Sequence, residues 1–217
     1  MIFPLGDQAV LAYLADEAAA LRFAAAVRDC KEPWLVDVVQ AYTSVAVYFD
    51  LDQMRFADVA DRLRVLTDSS ETESICPGQL HQIPCCYDLG LDLKRVADKT
   101  GLSTAEVIRR HAAVPYTVYA IGFCPGFPYL GYLPPELCGV PRLPTPRLKV
   151  EAGSVGLTGR QTGIYTEERP GGWNLIGRTP LELVNVADGY FPLRTGDRVQ
   201  FVPIGKAEFK KRRGARL

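Results

Sequence analysis

Hydrophobic and polar positions along the first third of the chain follow two rhythms. Gln8–Tyr13 holds a short apolar run that predicts a strand. Asp16 and Glu17 come next, acid placed for the positive end of a helix dipole. Leu21, Ala24, Ala25 and Val27 then recur at helical spacing until Pro33 stops the pattern. Leu35–Val39 and Val45–Phe49 are β-branched and aromatic, joined by a polar connection at Tyr42–Ser44, and predict a hairpin. Asp52 is placed to cap a second helix with Phe56, Val59, Ala60 and Leu63 on one face. Thr67–Ser74 is unbroken polar sequence and predicts an exposed linker.

Strand, helix, strand, strand, helix is most of a ferredoxin-like split motif. Its last strand is either Gln82–Tyr87 or absent, that segment then belonging to the next domain. Asp92–Thr100 predicts a short helix with Leu93, Val96 and Ala97 inward and Gly101 at its end. Ser103-Thr104-Ala105-Glu106 is a capping box that opens another helix, running to His111. Tyr116–Ile121 alternates as a strand. Short segments follow at Ser154–Leu157, Gln161–Tyr165, Asn174–Gly177, Leu181–Val184 and Asp197–Val202. Between Pro115 and Gly205 lie 14 of the 19 glycines and 12 of the 16 prolines, a density of tight turns that predicts a compact β-barrel or sandwich. The expected fold class is α+β. It has an N-terminal domain over residues 1–79, a β domain over 80–205, and a basic tail over 206–217 read as a solvated, frayed end.

Composition narrows the function. Lys+Arg and Asp+Glu are both 25, so the formal charge is zero, which disfavours a general nucleic-acid or membrane-surface binder. No apolar run reaches the roughly 18 residues of a membrane span, and Met1–Asp7 carries no basic segment of a secretory signal; the expected location is cytoplasmic. The six cysteines (Cys30, Cys76, Cys85, Cys86, Cys124, Cys138) include no C-x-x-C and accompany only two histidines, so reduced thiols and no metal site are expected.

Walker, Rossmann, H-E-x-x-H and G-x-S-x-G signatures are all absent. Three stretches carry the candidate chemistry. Gly122-Phe123-Cys124-Pro125-Gly126-Phe127-Pro128-Tyr129-Leu130-Gly131 is either an aromatic pocket wall or a loop plugging the core. Thr145–Gly156 contains Arg147, a fork for a carboxylate or phosphate, and Ser154, whose nucleophile reading needs a base that only His81 or His111 supplies in its usual form. Gly159–Tyr165 and Arg169–Pro180 interleave Gln161, Thr162, Tyr165, Trp173 and Arg178 with glycine, a set suited to orienting a small polar molecule, although Trp173 alone reads as core.

These stretches in this order resemble the family of KipI and the B subunit of bacterial 5-oxoprolinase, also described as allophanate hydrolase subunit 1 or carboxyltransferase subdomains C and D. The matching residues are Gly122-Phe123, Pro125-Gly126-Phe127, Tyr129-Leu130-Gly131, Thr145-Pro146-Arg147, Ala152-Gly153-Ser154-Val155, Gln161–Tyr165, Pro170–Trp173 and Leu175–Pro180. Gly6-Asp7, Ala41-Tyr42 with Ser44, and Gly101–His111 fit as well. Asp88–Leu93 is shorter than expected, Glu151 and Thr166 stand where proline is usual, and the basic tail is additional.

The resemblance implies a small α+β domain followed by a cyclophilin-like barrel. It also implies work with two further 5-oxoprolinase chains, a KipA-like C subunit and the A subunit, opening 5-oxoproline to L-glutamate at the expense of ATP, with little activity alone. ATP is then bound here or only with the partner, and no metal is ligated by this chain. Substrate-binding residues are expected among Phe127, Tyr129, Arg147, Gln161, Thr162, Tyr165, Trp173 and Arg178, with Arg147 and Arg178 facing developing phosphate charge. Two other readings accompany the family. One is inhibition of a sensor histidine kinase through surface such as Tyr129 and Tyr132; the other is a part in a urea- or allophanate-linked carboxyltransferase.

Overall fold

The computed structural model describes residues 1–70 and 78–217, with the backbone alone over 68–70. The chain divides into two units, Met1–Pro77 and Gly78–Leu217. Both mix helices with sheet that is antiparallel apart from one strand pair. Among the described residues no helix is long and apolar enough to cross a membrane.

In the first unit, strands β1 (Ile2–Pro4), β2 (Ala9–Tyr13), β3 (Leu35–Ala41) and β4 (Ser44–Phe49) pair antiparallel in the order β1-β2-β4-β3. Helices α1 (Glu17–Asp29) and α2 (Phe56–Ser70) complete it. Asp16 starts α1 because its carboxylate accepts the Ala19 N–H at 2.7 Å. Phe23, Ala24 and Val27 of α1 and Val59 and Leu63 of α2 bury against Val10, Val45, Val47 and Phe49. Each such side chain contributes roughly 1.5–3 kcal/mol by leaving water.

Two expectations change here. Asp52 does not cap α2: Asp50 accepts the Asp52 N–H at 2.9 Å and the Gln53 amide at 2.8 Å, forming a local turn. The helix therefore begins after Arg55, whose carbonyl accepts from Asp58 and Val59. The helix also runs through 67–70, where polar composition predicted a linker, and Thr67 turns its hydroxyl back to the Leu63 carbonyl at 2.9 Å. The rest of that predicted linker, and Cys76, lie outside the described residues.

The second unit opens with β5 (Leu80–Cys85), which is not a last strand for the first domain. It pairs in parallel with β13 (Arg198–Pro203), from His81 opposite Val199 to Cys85 opposite Pro203. Helices α3 (Leu93–Thr100) and α4 (Thr104–Ala112) come next, the first closed by Gly101 at φ 71° and the second capped by Ser103, which accepts the Glu106 N–H. The sheet then follows the order β5, β13, β6 (Tyr116–Ile121), β7 (Pro128–Gly131), β10 (Gln161–Ile164), β9 (Ser154–Thr158), β12 (Asn174–Arg178). Reciprocal backbone bonds between Cys86 and Arg178, of 2.8 and 3.1 Å, join its last strand to its first. A closed sheet has no edge to satisfy, and its interior fills with Ile83, Val118, Leu130, Leu157, Ile164, Ile176 and Phe201. A small separate sheet pairs β8 (Arg147–Val150) with β11 (Arg169–Gly171).

The predicted strand at Leu181–Val184 is not formed; Glu182 makes only one bridge, to Arg216. The tail that supplies it is not frayed. Helix α5 (Lys206–Arg212) leads to Arg216, which bonds Glu182 at 2.9 Å and also pairs with Asp188, while the Leu217 N–H donates to the Tyr190 hydroxyl at 2.9 Å. The basic residues are anchored because acids at 182 and 188 face one of them. The five described cysteines are free thiols, and burial pushes those of Cys85 and Cys86 up.

Asp92 ties three segments of this unit together. Its buried carboxylate accepts the Leu175 N–H at 2.7 Å through Oδ2 and Arg147 Nη2 at 2.7 Å through Oδ1. Its own N–H donates to the Leu175 carbonyl at 2.8 Å. Replacing Arg147 with Ala leaves that charge unpaired, so urea denaturation is expected to show a loss of about 2 kcal/mol; an unchanged midpoint would mean the guanidinium carries no structural weight.

His111 is fully buried, with Nδ1 2.8 Å from the Tyr87 hydroxyl and Nε2 3.0 Å from Thr162 Oγ1. Thr162 spends its own proton on the Gly156 carbonyl at 2.9 Å, so Nε2 must donate and Nδ1 must accept from Tyr87. The ring is thus neutral, and burial holds its pKa down to about 3. Below the ordinary histidine value of 6.5 the unfolded chain takes a proton that folded His111 refuses. Stability is accordingly full above that value and falls as pH drops through the window, by up to about 1.4 kcal/mol per pH unit. His111→Gln, which keeps a donor and an acceptor, is expected to flatten the decline between pH 6.5 and 5 in urea titrations; an equal decline in both proteins would assign it to other groups.

Candidate functional site

The loop between β6 and β7 is wound by its own backbone. Gly122 N–H donates to Phe127 O at 3.1 Å, Cys124 N–H to Gly122 O at 2.8 Å and Phe127 N–H to Cys124 O at 3.1 Å. The winding sends Phe127 inward, where it is 2% exposed, and leaves Phe123 at the surface. Phe127 is the hub of an aromatic cluster. It meets Tyr129, Tyr165, Phe123 and Trp173 edge to face with centroids 4.9, 5.3, 5.4 and 5.5 Å away.

These rings do not close on one another completely. They line a cavity of about 230 Å³ together with Pro146, Pro170, Gly171, Gly172 and Arg142. The Tyr165 hydroxyl oxygen lies where a Cβ on residue 171 would stand, which is why glycine occupies the position. Burial pushes the Tyr165 and Tyr129 phenols above their ordinary value of 10, with Arg142 partly opposing, so both remain protonated donors at neutral pH.

A second, more polar cavity of about 310 Å³ is lined by Asp88, Gly90, Lys149, Glu151, Ser154 and Arg178, among others. Its cations are engaged. Arg178 Nε donates to Ala152 O at 2.9 Å and the guanidinium pairs with Glu151; Lys149 pairs with Glu168 at 2.8 Å. Among the described residues no group of three or more His, Cys, Asp or Glu side chains is placed to hold a metal ion.

Of the residues singled out in the sequence, Phe127, Tyr129, Tyr165 and Trp173 gather on the first cavity. Arg147 and Arg178 do not converge there. The first is bound to Asp92, and the second lines the other cavity, held by Glu151, the residue standing where proline is usual. Thr162 is also no binding residue. Neighbours on a strand face opposite ways, and Thr162 of β10 turns into the barrel toward His111. Gln161 precedes it, half-buried, opposite Gly131 and Thr158, and lines neither cavity. Neither histidine is available to Ser154 as a base: His111 is spent on Tyr87 and Thr162, and His81 on Asp197 at 3.2 Å. Arg142 was missed. It stands in Pro141-Arg142-Leu143-Pro144, where nothing in the spacing separates it from Arg147, and only the absence of a carboxylate beside it distinguishes the two.

The family model described as "Carboxyltransferase domain, subdomain C and D" matches residues 1–190. The B subunit of 5-oxoprolinase from Escherichia coli O157:H7 is 42% identical over 175 residues, 79% of this chain and 79% of that protein. Its counterpart of the same name from Bacillus subtilis (strain 168) is 36% identical over 203 residues, 86% of this chain and 82% of its own length. The crystal structure of TTHA0988 superposes with a TM-score of 0.79 at 34% identity over 91% of this chain, which spans 40% of that protein's length. On the extent of these matches, the chain belongs to the family of carboxyltransferase subdomains C and D.

Proposed function

We propose that this chain is the B subunit of an ATP-dependent 5-oxoprolinase, working with a KipA-like C subunit and the A subunit to open 5-oxoproline to L-glutamate. The observation that carries the reading is the 42% identity to a protein of that name across 79% of both chains. The aromatic cavity gives it a physical basis. In this reading the first unit is a ferredoxin-like domain in which β1 sits beside β2, the place such a fold gives its last strand, and the second is a cyclophilin-like barrel. The two domains are the units Met1–Pro77 and Gly78–Leu217, the second including the basic tail, and the protein works in the cytoplasm.

A lactam carbonyl resists water because nitrogen donation quenches its carbon. Transfer of the terminal phosphoryl group of ATP to the carbonyl oxygen, with ADP leaving, makes the ring carbon electrophilic. Water adds there, the C–N bond breaks with its electrons and a proton going to nitrogen, and the acyl phosphate is hydrolysed to phosphate and the glutamate carboxylate. This chain's part is to hold the ring. Phe127, Tyr129, Tyr165 and Trp173 wall it from water, and the Tyr165 hydroxyl donates its proton toward a ring acceptor. The more polar cavity offers a triphosphate no free cation. The cations of the larger cavity are paired with Glu151 and Glu168, and Asp88 adds further negative charge. ATP therefore sits on the partner chains, and this chain is inactive by itself.

The test is reconstitution with the A and C subunits and measurement of phosphate release with and without 5-oxoproline. Release that depends on 5-oxoproline and on this chain is expected; no stimulation by 5-oxoproline would overturn the reading. Gly171→Ala removes no functional group but drives a methyl onto the Tyr165 hydroxyl. It is expected to lower kcat/KM of the assembly by about a hundredfold while costing roughly 1–3 kcal/mol of stability, with a thermal melt confirming that the variant is folded at the assay temperature. Wild-type turnover in that variant would move the site elsewhere.

A further inference from the structure

Every polar side chain lining the aromatic cavity is a donor. Tyr129, Tyr165, Trp173 and Arg142 supply O–H and N–H groups, and no carboxylate lines the space. Both phenols are neutral, so neither competes as an anion. Among the described residues Arg142 is the only ionised one lining the cavity, and none of them forms an ion pair or hydrogen bond with it. Its neighbours differ in this: Arg147 is bound to Asp92, Arg169 to Glu167 and Arg178 to Glu151. A guanidinium left without a counter-ion beside low-dielectric aromatic walls attracts an anion, and its planar fork matches a carboxylate. At about 230 Å³ the space lies below the roughly 300 Å³ where drug-sized pockets begin, so the guest is small. Flat aromatic walls suit a ring.

We infer that Arg142 is the specificity-determining residue of this cavity, holding the carboxylate of a small ring compound whose ring lies among Phe127, Tyr165 and Trp173; the inference rests on the function proposed above. Selection then comes from the acid group and not from the lactam. The same ring without the acid group forgoes that charge-assisted pair and is held by its apolar contacts alone, so the site prefers the carboxylate.

The experiment is calorimetric titration of the full chain with 5-oxoproline and with 2-pyrrolidinone, the same lactam lacking the carboxylate, beside KM for 5-oxoproline in the assembly with the A and C subunits. Wild type is expected to prefer 5-oxoproline by about tenfold or more, Arg142→Gln to erase the preference, and Arg142→Lys to keep part of it. In the assembly Arg142→Gln is expected to raise KM by about tenfold or more, and this rise alone supports the inference if neither compound binds the isolated chain. Arg142 is exposed, so the variants are expected to fold, as thermal midpoints would show. A preference that survives in Arg142→Gln, or no binding together with a wild-type KM in that variant, overturns the inference while an active assembly upholds the proposed function. A preference lost in Arg142→Gln, with no lactam-dependent phosphate release from any assembly, overturns the function and keeps Arg142. Neither binding nor turnover overturns both.

Discussion

The Asp92 carboxylate is the point on which the second unit's geometry hangs. A charge almost removed from water persists only if its lone pairs are taken, and here the takers are the Leu175 N–H and the Arg147 guanidinium. Leu175 lies two residues after Trp173, and Arg147 follows Pro146 directly. Trp173 and Pro146 both line the aromatic cavity. One carboxylate on the helix side thus fixes the approach of two wall segments distant in sequence. Arg147 is in this sense a positioning residue: its Nη2 is bound to Asp92, while its buried Nη1 has no partner among the described residues.

The two faces of the barrel wall divide the work by polarity. Inside, the chain from Tyr87 through His111 and Thr162 to Gly156 satisfies each buried donor with an acceptor, leaving nothing to react. Outside, the rings of the Phe127 cluster meet edge to face, and the Tyr129 and Tyr165 hydroxyls line the cavity with protons to give. A buried network that is closed stabilises; a walled cavity with donors left over binds. That contrast separates a closed inner network from an outer face whose donors are still free for a guest.

The parts of this arrangement legible in sequence are those set by neighbours along the chain. Asp16, Ser103 and Gly101 mark helix ends because capping is decided within a few residues, and glycine with aromatics over 122–131 marks the cavity loop because its turns bond to themselves. The illegible parts are pairings between distant residues. β5 finds β13 more than a hundred positions away, so its short run gives no sign of which unit it joins. Arg147 finds Asp92 across 55 positions and Arg178 finds Glu151 across 27, and from composition alone either arginine is as available as Arg142. Thr162 beside Gln161 misled for another reason: a motif read as a string ignores that alternate strand residues face opposite sides.

A formal charge of zero conceals this local imbalance. Twenty-five basic and 25 acidic side chains cancel in the sum, and in the second unit many cancel in space as well, Arg110 with Glu106 and Glu136, Arg216 with Glu182 and Asp188, Lys149 with Glu168. Such pairs at the surface add little stability each, but they remove cations from the set that can hold an anion. What remains positive at the aromatic cavity is therefore decided by which acids are near. Glu151 takes Arg178 and Asp92 takes Arg147, and no carboxylate lines the cavity beside Arg142. The acids, by the arginines they occupy, determine the one they leave available.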